Sequence, residues 1–183
     1  MMDGTTRGGQ LYGGENQKMN GSARSMDRII RISQNFKIAA ERMVQNDDLV
    51  RLLIDNREEC LTDPIEVTNK DRKKAMQQIS IIPIVDKETA DRTKIVVGIK
   101  DIVNASTSEA YIYSMNFDII VNVANYKMDD YKPRGLAILN EIDNLFSDSK
   151  MIGIGPAEFI GADTLKINES LSGFRAYYQI QDI

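Results

Sequence analysis

Between Ala110 and Asn125, hydrophobic side chains fall on every second residue over a longer stretch than anywhere else in the chain. Tyr111, Tyr113, Met115, Phe117, Ile119, Val121 and Val123 alternate against Ile112, Ser114, Asn116, Asp118, Ile120 and Asn122. A period of two sends successive side chains to opposite faces of a β-strand, so this run predicts one long strand with an apolar face and a more polar one. Thr93 to Ile102 predicts a second strand, with Ile95, Val97 and Ile99 on one face. The link between them is too short for a helical crossover, which leaves antiparallel pairing.

Helical patterns stand on both sides of these strands. Ser25 is a fair N-cap for a helix in which Ile29, Ile32, Phe36, Ala39 and Met43 recur at steps of three and four. Asp47 is read as the cap of a short second helix carrying Leu49, Val50, Leu52, Leu53 and Ile54, and Lys70 to Gln77 as further helical turns. Pro133 fits the first turn of a helix that presents Leu136, Leu139, Ile142 and either Leu145 or Phe146, with Ile138 broadening the face. Ile79 to Val85 is β-branched but contains Pro83, which cannot donate to a central ladder, so it belongs at an edge or a bulge. Weaker strands are read at Glu158 to Ala162 and Leu165 to Ile167, and an aromatic one from Gly173 to Ile180. The element order describes one α+β domain over residues 25–183.

Residues 1–24 read differently. Gly4, Gly8, Gly9, Gly13, Gly14 and Gly21 are half of the chain's 12 glycines, and few apolar anchors stand among them, chiefly Leu11 and Tyr12. Such a segment cannot bury enough surface to offset its ordering entropy. It is expected to be a flexible arm, ordered by assembly partners.

Composition bears on chemistry. The 183 residues hold no histidine, which removes the commonest general base and zinc ligand, and the lone Cys60 cannot make a disulfide framework or a metal knuckle. A net charge of −4 argues against a free nucleic-acid-binding module. No stretch reaches the ~18 apolar residues of a membrane helix. Gly153-Ile154-Gly155-Pro156 lacks the lysine and the amide donor of a phosphate loop. Acid clusters at Asp47/Asp48, Glu58/Glu59, Asp86/Glu88/Asp91 and Asp129/Asp130 fall in predicted loops or element ends, where carboxylates ordinarily face water. Catalytic, cofactor and metal residues are all expected to be none, and the chain is expected not to be an enzyme.

Three stretches carry a resemblance. They are the amino-terminal helix with Asp47 to Leu53, the strand from Tyr113 to Val123 followed by the helix from Arg134 to Phe146, and the closing run from Ser172 to Asp182. In this order they resemble the tail-terminator and tail-completion proteins of tailed bacteriophage necks. The resemblance implies a small, mostly antiparallel sheet with helices packed on it, and a structural virion protein. Such a protein forms a ring, commonly a hexamer, that caps the tail tube and joins it to the head connector. Genomic DNA passes through the lumen without specific binding. The protein is made in the host bacterial cytoplasm and ends in the virion, with no membrane partner. Expected interface residues are Leu11, Tyr12, Asp129, Asp130, Tyr131, Arg134, Tyr177 and Tyr178; of the last two, opposite faces of a strand make one core and the other an anchor. The alternatives are a head-closure or adaptor ring of the same neck and, from another class, an acid-dependent metal nuclease.

Overall fold

The alternating run is the central strand of a five-stranded sheet in the computed structural model, which describes residues 16–81, 92–104, 111–129, 132–147 and 157–182. In chain order the elements are α1 (Asn16–Met43), α2 (Asp47–Ile54), α3 (Asn69–Gln77), β1 (Ile79–Ser80), β2 (Lys94–Asn104), β3 (Tyr111–Asn122), α4 (Arg134–Phe146), β4 (Glu158–Lys166) and β5 (Leu171–Asp182). The sheet order is β1-β2-β3-β5-β4, with β1 parallel to β2 and every other pair antiparallel. The α+β reading and the antiparallel pairing of the two long strands therefore hold. The chain divides into two compact units, residues 1–34 and 35–183, and everything below concerns the second.

Alternation decides the core. Tyr113, Met115, Phe117, Ile119 and Val121 are each no more than 1 % exposed. Beside them on the same face lie Ile95 and Val97 of β2 and Ala176, Tyr178 and Ile180 of β5, all buried. Ile138, Ile142 and Phe146 of α4 close over them; the Phe146 ring stacks on Phe117 at 5.4 Å, and Tyr178 meets Phe117 edge-on at 5.5 Å. Leu49, Val50, Leu52 and Leu53 of α2 and Met43 of α1 complete the layer. Burying each such side chain stabilises the fold by roughly 1.5–3 kcal/mol. A polar pair in this layer, Asn35 Nδ2 donating to the Tyr113 hydroxyl at 2.8 Å, is satisfied rather than orphaned.

Two glycines set how closely the layers approach. A Cβ on Gly135 would stand 2.9 Å from the Phe174 ring, so glycine lets the start of α4 lie against β5. A Cβ on Gly173 would fall 1.8 Å from the Ile119 carbonyl oxygen, which no other residue tolerates there.

Several boundaries differ from the sequence reading. α1 begins at Asn16 and not near Ser25; only Gly21 interrupts that stretch, and one glycine costs about 1 kcal/mol against alanine, which a long helix absorbs. The cap of α2 is Asn46, whose side chain accepts from the Leu49 amide, while Asp47 pairs with Arg72. Thr68 and Asp71 form a capping box at α3. β4 is one continuous strand where two fragments were expected. Of the run through Pro83, Ile79–Ser80 form an edge strand and Ile81 follows it, exposed; the remainder of that run, the Gly153–Pro156 loop and the Asp86/Glu88/Asp91 cluster lie outside the described residues.

Candidate assembly surface

The second face of the sheet carries Val96, Ile120 and Leu171, buried together with Leu165 partly buried against them. Within this face Asp118 is 7 % exposed and receives both arms of Arg175, Nε and Nη2, at 2.6 Å each. Asn116 Nδ2 adds a third donor at 3.0 Å. A fork meeting a carboxylate in two parallel bonds is the strongest form of ion pair. The hydrogen bonds that Arg175 donates to Asp118 hold its guanidinium further above its ordinary pKa. Next to Arg175 on this face, Tyr177 is half-buried, and the Lys100 ammonium sits 5.1 Å above its ring, a cation–π contact. Tyr178, on the opposite face, is wholly buried; its hydroxyl donates to Asp143 Oδ1 at 3.0 Å. Burial, with the Asp143 charge second, drives its pKa far up.

Arg134 was expected on an interface and is instead 0 % exposed. Nε donates to the Asn125 carbonyl (2.9 Å), Nη1 to those of Leu52 (3.1 Å) and Asp55 (2.6 Å), and Nη2 to that of Arg57 (2.6 Å). Leu52 lies in the last turn of α2, so the guanidinium occupies the negative end of that helix and satisfies a carbonyl that has no partner within it. The Cys60 sulfur lies 3.6 Å from Nη1, and burial pushes the thiol up in pKa against the pull of the nearby cation. Asp55 turns its carboxylate to Arg57, at 2.8 Å. Partial burial raises the Asp55 carboxyl, but the Arg57 hydrogen bonds and charge outweigh it and leave the pKa below the ordinary value. This cluster locks α2, the 55–60 loop and the start of α4 together, with Arg134 and Cys60 sealed inside and the Arg57 side chain 38 % exposed at its edge.

Asp129 belongs to the rim of the same cluster. Its amide donates to the Glu58 carbonyl (3.2 Å) and its carboxylate accepts from Thr62 (2.5 Å), tying two loops. Asp130 and Tyr131, like Leu11 and Tyr12, lie outside the described residues. The structure thus brings Asp129 near the Arg134 cluster, puts Tyr177 on the open face and withdraws Arg134 and Tyr178 into the core.

The sequence reading placed weak strands within β4 but did not name its edge position or its exposed apolar side chains as a surface. Phe159 and Ile160, 43 % and 56 % exposed, stand on it at the sheet edge, where among the described residues no strand pairs with its outer side. The Phe159 ring leans on Tyr178 at 5.3 Å. Large apolar groups on an edge strand are the available signal for such a surface. Elsewhere, an open groove of about 480 Å³ is lined by Arg42, Asn46, Asp47, Asp48 and Arg51, but Asp48 already pairs with Arg51 (2.6 Å). Among the described residues no three acidic or sulfur side chains converge as a metal would require.

A family model described as YomW matches residues 46–180, which run from the cap of α2 into β5. No curated protein and no solved structure matches the chain.

Proposed function

The chain belongs to the YomW family, and from that premise we propose that it is a structural virion protein of a phage neck. The family name suggests a phage-associated protein, and the matched region is the sheet with its helices. In this reading copies of the chain form a ring, a tail terminator, that caps the finished tail tube and docks the head connector. It works by assembly and not by turnover, and the genome passes through the lumen. The observation that carries the reading is the pairing of a helix-sealed face with an edge strand bearing exposed Phe159 and Ile160. One side of the sheet completes the subunit, and the edge is left for a neighbour. An acidic balance, −4 overall, suits a lumen through which DNA slides without sticking.

The test is negative-stain microscopy of particles made when the gene carries a nonsense mutation. Full heads beside separate, overlong tails support the terminator. Finished tails of normal length beside heads that have lost their DNA would move the protein to the head-closure ring. Normal infectious particles would overturn the neck assignment.

A further inference from the structure

The sheet ends in two unlike edges. One is β4; the other is β2, where among the described residues β1 covers only Ile95 and Val96 of eleven. We propose that the first half of β4 pairs antiparallel with the stretch Val97–Ile102 of β2 in a second copy of this chain, head to tail. The inference rests on the ring reading above and names the surface that builds the ring.

Strand directions favour this contact. β2 opposes β3, β3 opposes β5 and β5 opposes β4, so β4 runs opposite to β2. Rotating one copy about an axis along the strands therefore brings its β2 antiparallel to β4, with the same face of the sheet on the same side. Such a rotation leaves every residue at its own height, so the registers say what meets what.

Glu158 aligns through Gln179 with Ser114. Lys100 stands at that height too, in the bulge between Ile99 (opposite Met115) and Ile102 (opposite Tyr113). Both are exposed. Phe159 aligns through Tyr178 with Met115, hence with Ile99, and lies one pair from Ile102. These three share the other face, and Phe159 and Ile102 are 43 % and 51 % exposed. A single register thus sets acid against base on one face and apolar against apolar on the other, the pairs that stabilise neighbouring strands. Two-fold pairing of β4 with itself offers no such match. Lys166, the only basic residue of β4, lies on the opposite face from Glu158 and Asp163.

Sedimentation of the full chain over a concentration series, with the charge reversals Glu158→Lys and Lys100→Glu, tests the contact. Each variant alone is expected to associate about tenfold more weakly, because an attraction becomes a repulsion. An equimolar mixture is expected to recover wild-type association, since each copy then supplies the edge its neighbour needs. Both residues are exposed, so circular dichroism should be unchanged and melting should move only slightly, through the loss of the Lys100 contact with Tyr177 in Lys100→Glu, and a Phe159→Asp variant should weaken association with no rescue on mixing. Indifference to both reversals, failure of the mixture to recover, or a wild-type chain that stays monomeric at its highest soluble concentration would overturn the proposal. The particles and the mixture answer separately: normal particles would sink the neck reading alone, and a failed mixture would sink this contact whatever the particles look like.

Discussion

Arg134 and Arg175 face the same physical problem, a guanidinium drawn out of water, and meet it in opposite ways. Arg134 is fully buried and donates to four backbone carbonyls, with no carboxylate among the described residues in direct contact. Arg175 keeps 40 % of its side chain exposed and gives both arms to the single carboxylate of Asp118. Carbonyls from separate loops hold the first in place, so it fixes where those loops and two helices stand. The second is fixed chiefly by one partner on one neighbouring strand, with Tyr177 beside it on its own strand, so its loss disturbs one face of the sheet. Burial with distributed partners marks scaffold, and a half-exposed bidentate pair marks a surface that keeps its shape.

That difference predicts unequal costs. Arg134→Met should lower stability by about 3–5 kcal/mol in urea unfolding, because it leaves several buried carbonyls without donors. Arg134→Lys should restore less than half, since an ammonium cannot reproduce the planar fork. A loss under about 1 kcal/mol for Arg134→Met would erase the distinction drawn above.

On the open face, Asp118→Asn should cost about 1–2 kcal/mol. A double-mutant cycle with Arg175→Gln should assign about 1 kcal/mol of that to the pair. A coupling as large as the whole cost of losing Arg134 would make the face as rigid a scaffold as the helix side.

The sequence shows the first kind of region better than the second, and neither completely. The core face of β3 could be read residue by residue because a two-residue period has one meaning on a strand. α4 was located from Arg134 to Phe146, and Ile138, Ile142 and Phe146 of the expected face are buried, but the start of that face was misplaced. Leu136 was expected inside and is 44 % exposed, while Gly135, Ile138, Ile142 and Phe146 turn inward. Ile138 and Leu139 are both apolar, so the spacing allowed two rotations of the helix, and tertiary contacts at Arg134 choose between them. Burial of Arg134 had one local sign, since a cation in the first turn opposes the helix dipole and asks for another reason to be there. The Asp118–Arg175 pair spans 57 residues, and nothing short-range announces it. The strand at Glu158 to Ala162 was legible, but its place at the sheet edge was not, because that depends on pairing with β5, whose partners lie between 6 and 21 residues further along the chain.

Tyr177 and Tyr178 repeat the contrast on adjacent residues. Tyr178→Phe should cost about 1 kcal/mol at neutral pH through loss of its bond to Asp143. The folded pKa of Tyr178 lies above its ordinary value of 10.0, so the protonated hydroxyl is favoured by folding. Its contribution is complete below pH 10 and falls as pH rises past it, because the unfolded chain ionises first. The stability gap between wild type and Tyr178→Phe should therefore shrink above pH 10. A gap that stays constant through pH 11 would mean the hydroxyl ionises as freely in the fold as outside it.

The smallest effect is expected at the neighbour. Tyr177→Leu keeps an apolar side chain beside Arg175 but removes the ring under Lys100, which should cost about 0.5 kcal/mol, as cation–π contacts do at exposed sites. Because Lys100 also stands at the height of Glu158, freeing its ammonium changes what the next copy meets without changing its charge. The expected signature is a subunit almost as stable as wild type but altered in self-association, measured by sedimentation at matched concentrations. Equal association would confine Tyr177 to the subunit and leave the charge of Lys100, whatever ring lies beneath it, as the part of this face that faces a neighbour.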